Sequence, residues 1–168
     1  MKKVANFYKV SFKQFKQDFE NSFGSTFNNI QEIYDNIKLP RRATHQSAGY
    51  DFFSPIDITL APKSQLLLPT GIRCKMNSGV VLAVVPRSSL GFKFRLQLNN
   101  TVGIIDADYF NAQNEGHIML KLFNDTAENK TLSLSLGSGV AQGIFLNFGI
   151  TEDDETTENR TGGFGSTD

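Results

Sequence analysis

Five short stretches carry residues that a plain β-core has little use for. Ser47-Ala48-Gly49-Tyr50-Asp51 sets small residues ahead of a carboxylate, so the backbone there can approach a partner closely. Pro86-Arg87-Ser88-Ser89-Leu90-Gly91 puts a cation and two hydroxyls directly after an apolar run. Arg can pair two phosphate oxygens while hydroxyls donate to others. In Asn99-Asn100-Thr101-Val102-Gly103-Ile104-Ile105-Asp106-Ala107-Asp108-Tyr109 a carboxylate follows an apolar run. That setting leaves one acid partly desolvated and able to act as a base. Val140-Ala141-Gln142-Gly143 places one amide in an apolar strand. Arg160-Thr161-Gly162-Gly163-Phe164-Gly165-Ser166-Thr167 reads as a flexible phosphate clamp whose ring can stack on a base. Taken singly, each has a plainer reading: a Gly-rich tail is a flexible end, and Arg-Ser-Ser is a surface turn. The third stretch is sharper, because two acids and an exposed Tyr beside glycine are costly in a β-hairpin without a task. The residues alone point to a phosphate-containing ligand, metal assistance and a carboxylate base. They name neither the base nor the reaction.

The elements that must position these stretches are mostly strands. Residues 4–10 predict a short strand, and Ser11-Phe12-Lys13-Gln14 has capping-box spacing for a helix. Phe12, Phe15, Phe19 and Phe23 recur at helical intervals, then Ile30, Ile33, Tyr34 and Ile37 start a second stripe that Pro40 ends. Such stripes predict packing against a body more than ligand binding. Beyond Pro40 the period becomes two, at Ile56 to Leu60 and at Thr131 to Leu136. Residues 80–85 form a continuous apolar run, which predicts a strand buried on both faces, and residues 117–123 and 140–148 are further strand candidates. Short strands separated by Gly, Pro, Asn and Asp predict an all-β sandwich or barrel. The expected organisation is one β-domain over residues 1–150, with a helical insertion at 11–36, and a mobile C-terminal arm over 151–168. That arm holds no apolar residue except Phe164.

Composition excludes several classes. With 168 residues, 39% hydrophobic and 20% charged, the chain suits a globular domain with a real core. Net charge is zero, distributed as +4 over residues 1–45, +1 over 46–150 and −5 over 151–168. No segment has the clustered basic face of a nucleic-acid binder. No run is long enough to span a bilayer, and no signal-peptide pattern opens the chain. The single Cys74 forbids an internal disulfide and reads as a small buried strand residue. His45 and His117 lack a Cys or second His at ligand spacing, so zinc is disfavoured and His117 reads as structural.

The order of the five stretches resembles the trimeric dUTP pyrophosphatase family over residues 37–167. The family pattern Gly-Ser-Ala-Gly-Tyr-Asp looks like residues 46–51, Pro-Arg-Ser-Gly-Leu like 86–90, Asn-x-Val-Gly-x-Ile-Asp-x-Asp-Tyr like 100–109, Ala-Gln like 141–142, and Gly-Gly-Phe-Gly-Ser-Thr like 162–167. Ser89 in the second motif and Glu115-Gly116-His117 after the third resemble phage and Gram-positive versions. The resemblance implies a dUTPase-like jelly-roll or β-barrel, working as a homotrimer with shared sites in the cytoplasm of a bacterial or phage-infected cell. It implies Mg²⁺-dependent hydrolysis of dUTP to dUMP and pyrophosphate, limiting uracil in DNA. Asp106 would accept a proton from the water attacking the α-phosphorus, and Asp51 would hold a water of the metal. Arg87, Ser88, Ser89 and Gln142 would line the phosphate channel. Asn100 and the backbone of Gly103, Ile104 and Ile105 would pair the uracil edge, with Tyr109 under the deoxyribose. Phe164 and Gly165 would close over the base, with Arg160, Ser166 and Thr167 on the outer phosphates. Two alternatives stand beside this reading. A dCTP deaminase shares the fold but uses a Glu for its amine chemistry, and a phage-type regulator would bind a host repressor, with residues 11–36 as the place to look.

Overall fold

Strand period and helix period divide the chain much as the sequence suggests. The structure, a computed structural model, describes residues 2–158, 160 and 162. β1 (Ala5–Lys9) leads through Ser11 into α1 (Phe12–Phe23), a 3-10 turn, and α2 (Ile30–Asp35). Next come β2 (Arg41–Arg42), β3 (Tyr50–Phe53), β4 (Ile58–Leu60), β5 (Gln65–Pro69), β6 (Ile72–Met76) and β7 (Val80–Pro86). A short helix, α3 (Ser88–Phe94), precedes β8 (Leu96–Leu98) and β9 (Gly103–Ile105). A 3-10 turn over Ala107–Asn111 separates these from β10 (Met119–Asn124), β11 (Leu132–Leu134) and β12 (Gly139–Asn147).

The strands pair antiparallel throughout, in sheets ordered β1-β6, β5-β10-β8, β11-β4 and β2-β3-β12-β7-β9. Neighbours far apart in sequence, such as β3 and β12, need crossovers, which is how an all-β, jelly-roll-like fold wraps its two layers. The apolar run at 80–85 lies in the middle of the five-stranded sheet, where Val80, Leu82, Ala83 and Val84 are buried. Cys74 is also buried, and burial pushes its thiol up to about 12.

The aromatic stripe is a docking face. Phe15 and Phe19 are fully buried, and Phe19 packs on Phe23 and Phe27 at ring separations of 4.8 and 5.1 Å. Burying a side chain of this kind stabilises by about 1.5–3 kcal/mol. Half of the expected capping box forms, with the Ser11 hydroxyl accepting from the Gln14 N–H at 3.2 Å. The reciprocal half does not. Gln14 Nε2 donates to Asp18 instead, and the Ser11 N–H donates to Glu115, 104 residues away. α2 is closed by Lys9, whose ammonium donates to the Tyr34 and Asp35 carbonyls at 2.8 and 2.9 Å, where the helix dipole favours a cation.

Candidate active site

The sequence-predicted residues gather into two groups on the five-stranded sheet. The first is a small cavity of about 220 Å³ lined by Asn100, Gly103, Ile104, Ile105, Asp106, Tyr109 and Arg160, together with Val84, Leu98 and residues of β10 and its approach. β9 forms one wall. It pairs with β7 through Leu82↔Ile105, Ala83↔Ile104 and Val84↔Gly103, and it is the terminal strand of its sheet. Its outer edge therefore offers backbone N–H and C=O groups to a ligand. Ile104 is 57% exposed, a high value for isoleucine and consistent with a strand whose edge faces a cavity rather than the core.

Asp106 is the residue before the 3-10 turn, and its carbonyl accepts the Tyr109 N–H at 3.2 Å. Its carboxylate is 46% exposed and accepts from Arg160 Nη2 at 2.5 Å, while Arg160 Nε donates to Asp108 at 3.0 Å. The apolar run before Asp106 thus does not bury it; what covers the acid is the Arg160 guanidinium, only 18% exposed. Arg160, expected on outer phosphates, is seated on these two carboxylates and lies 5.8 Å from the centroid of the Tyr109 ring.

Tyr109 corrects two expectations. It is not an exposed hairpin tyrosine but is 5% exposed on a 3-10 turn, and it still lines the cavity. Its hydroxyl donates to the His117 carbonyl at 2.9 Å and accepts from Asn114 Nδ2 at 2.8 Å. Burial raises the phenol above its ordinary value, so it stays a donor at neutral pH. Phe110, the next residue, is half-buried under the Arg73 guanidinium, 3.7 Å from the ring centroid.

The second group lies at the other end of β7. Asp51, Gln142 and Val85 are side by side across β3, β12 and β7, and Arg87 follows two residues on. Asp51 is 8% exposed; its Oδ1 lies 3.3 Å from Arg87 Nε as an ion pair but accepts no hydrogen bond among the described residues. The small residues of this group make room for the polar ones. A Cβ on Gly49 would fall 2.2 Å from Gln142 Cδ, and one on Gly139 would fall 2.6 Å from Arg87 Nη1. Ser88 and Ser89, exposed, form the first turn of α3 with Arg87 as its N-cap residue.

None of Asp51, Arg87, Ser88, Ser89 or Gln142 lines the Asp106 cavity. Phe164, Gly165, Ser166 and Thr167 lie outside the described residues. Sequence reasoning missed Gly139 as the space for Arg87, and Met119 and Lys121 as cavity walls. The strand at 117–123 was legible, but periodicity does not say which of its residues meet a cavity.

The class defined here is an all-β, jelly-roll-like fold with a carboxylate-bearing cavity at a sheet edge. A family model described as dUTPase matches residues 35–168. The deoxyuridine 5'-triphosphate nucleotidohydrolase of Lactococcus lactis subsp. lactis is 42% identical over 134 residues, spanning 78% of this chain and 88% of that protein. The enzyme of the same name from Tolumonas auensis is 36% identical over 142 residues, spanning 80% and 89%. The crystal structure of dUTPase from Streptococcus mutans matches with a TM-score of 0.64 at 32% identity, covering 88% of this chain and 98% of its own. A dUTPase from phage phi11 of S. aureus matches with a TM-score of 0.63 at 18% identity, covering 93% and 98%, which is a likeness of fold. This chain belongs to the dUTPase family.

Proposed function

We propose that this chain hydrolyses dUTP to dUMP and pyrophosphate, with Asp106 as the general base. The observation that carries the reading is the edge strand β9 beside a carboxylate: backbone donors and acceptors suited to a pyrimidine edge lie next to an acid able to take a proton from water. Asn100 adds an amide to that edge, and Tyr109 floors the sugar. Arg87, Ser88, Ser89 and Gln142 bind and orient the phosphates at the other end of the nucleotide. Positioning and charge neutralisation are what this kind of phosphoryl chemistry needs from a protein.

Mg²⁺ fits the residues present. Asp51 supplies one buried carboxylate whose Oδ1 accepts no hydrogen bond among the described residues. Among those residues, no cluster of three or more His, Cys, Asp or Glu forms a cage, so a cation held at Asp51 through a bridging water would take its ligands from phosphate and water. When bound, it would neutralise charge developing on the phosphates. Residues 1–150 act as one β-unit and 151–168 as an arm bringing Phe164, Gly165, Ser166 and Thr167 to the nucleotide. The division of the site residues between two places in one chain supports a homotrimer with shared sites, in which Arg160 leaves the acids for phosphate.

A cytoplasmic enzyme fits this substrate, and among the described residues no helix is long and apolar enough to cross a membrane. The described lining of the base cavity contains Asp106 but no Glu, which argues against amine chemistry on dCTP. The deciding experiment is pyrophosphate release from each dNTP, with and without Mg²⁺. Release from dUTP alone, abolished by chelation, is the expected result; ammonia from dCTP would overturn it.

A further inference from the structure

The helical insertion at residues 11–36 lies almost wholly outside the dUTPase match, which begins at residue 35. It nevertheless holds the floor of the Asp106 cavity from behind. Two contacts fasten α1 to the turn that follows the third motif. At its N-terminus the Ser11 N–H and hydroxyl donate to the two oxygens of Glu115, at 2.7 and 2.6 Å. Two turns along, Asp18 Oδ2 lies 2.5 Å from His117 Nδ1.

His117 is fully buried. The Gly71 N–H donates to its Nε2 at 2.8 Å, so Nε2 is an acceptor and Nδ1 carries the proton that goes to Asp18. Burial alone would raise the Asp18 carboxyl. The bonds from His117 and Gln14 outweigh that and hold it below the ordinary value, so it faces His117 as a carboxylate. Phe15, also fully buried, packs against the imidazole at a ring separation of 6.2 Å.

The turn so held touches Tyr109 directly. The His117 carbonyl receives the Tyr109 hydroxyl, and Asn114 donates to the same oxygen. Between them, Gly116 has φ +69°, and a Cβ there would fall 2.4 Å from the Tyr109 carbonyl oxygen. The turn is therefore pressed onto the backbone of the 3-10 segment as well as bonded to its ring.

We infer that Asp18 and His117 are positioning residues for Tyr109, so that the α1 insertion sets how tightly this enzyme rejects a ribose. A ring fixed at its hydroxyl cannot retreat when a 2′-hydroxyl approaches, whereas a ring with slack makes room for it. The inference rests on the proposed role of Tyr109 as the floor of the sugar site.

The test compares kcat/KM for dUTP and UTP in wild type, Asp18→Ala, Asp18→Asn, Tyr109→Ala and the double Asp18→Ala/Tyr109→Ala. Asp18→Ala should lower the dUTP:UTP ratio by ~5-fold or more, mainly by improving UTP, while Asp18→Asn, which keeps an acceptor oxygen, stays within ~2-fold of wild type. In the Tyr109→Ala background the same substitution should leave the ratio unmoved. A merely structural Asp18 would lower stability and both activities together without moving that ratio. Should Asp18→Ala not fold, Ser11→Ala at the exposed tether carries the same expectation. A wild-type ratio in a folded tether variant, beside a changed ratio in Tyr109→Ala, overturns the brace alone. An unchanged ratio in Tyr109→Ala overturns the sugar reading and the brace with it.

Discussion

In its proposed role as base, Asp106 has to stay within reach of water and free to take a proton. Arg160 covers a carboxylate that is still 46% exposed, so the acid is oriented without being sealed. Asp106→Asn preserves the shape and the hydrogen bond from Arg160 but removes the base. We expect kcat to fall by at least ~10²-fold with dUTP binding retained, measured by single-turnover kinetics and by equilibrium binding. Turnover near wild type would remove Asp106 from that role. Tyr109→Ala should narrow the preference for dUTP over UTP by at least ~10-fold, because a pocket without the ring no longer forces the 2′-hydroxyl to be buried unpaired. Identical kcat/KM ratios in variant and wild type would place sugar reading elsewhere. The motif residues were legible because Arg, Gln, Asp and small residues in apolar strands have no packing reason to be there. The burial of Tyr109 was not. It depends on Asn114 and His117, whose partnership with the ring follows from the turn at Gly116 and not from any period in the sequence.

At the scale of elements, α1 was readable and α3 was not, for physical reasons that differ. Four phenylalanines at helical spacing behind a capping serine leave α1 few alternatives. α3 has glycine at its fourth position and alternating Phe92-Lys93-Phe94 at its end, so its sequence shows a strand-like period and not a helical stripe. How α1 is attached was also hidden, since Ser11–Glu115 and Asp18–His117 join residues about 100 positions apart. These tethers make stability depend on pH in a calculable direction. Glu115 is held below the ordinary carboxylate value: burial would raise it, but the Ser11 bonds and the Arg73 guanidinium outweigh that. Asp18 is held below its ordinary value in the same sense. Depressed folded values mean that both groups contribute stability above their unfolded values and lose it as pH falls through the folded ones. Wild type should therefore melt higher than Asp18→Asn/Glu115→Gln at pH 6, by a few degrees, on the order of 2–4 °C per kcal/mol for a chain of this size. The gap should close as pH falls through and below the ordinary carboxylate range. Calorimetry showing a constant gap across that window would mean the tethers act through shape and not charge.

For the molecule as a whole, the decisive fact is that Asp106 and Arg87 do not line one cavity. Gln142 aligns with Val85 on one side of β7, and Ile105 with Leu82 on the other. The two groups are thus separated by about 10 Å along the strand and two strand spacings across it. Nothing in a linear order of motifs reveals whether such groups meet within one chain or between chains, so the proposed homotrimer rests on the family resemblance. A cyclic trimer would bring the Asp106 side of one copy to the Arg87 side of the next through a heterologous, closing interface. Light scattering should then report three times the 18.7 kDa chain mass. Mass alone does not show that sites are shared, but mixing two dead variants does. Asp106→Asn spoils only the base side and Arg87→Ala only the phosphate side, so neither homotrimer contains a whole site. In trimers assembled at random from equal amounts of both, a site is intact when an Asp106→Asn copy supplies Arg87 and an Arg87→Ala copy supplies Asp106. That combination has a chance of one half for each copy, giving about a quarter of all sites. Co-refolded mixtures should accordingly recover about a quarter of wild-type kcat, while the two proteins mixed without subunit exchange stay inactive. If every site were built within one chain, co-refolding would restore nothing, and the shared-site reading would have to be given up even if the particle proved trimeric.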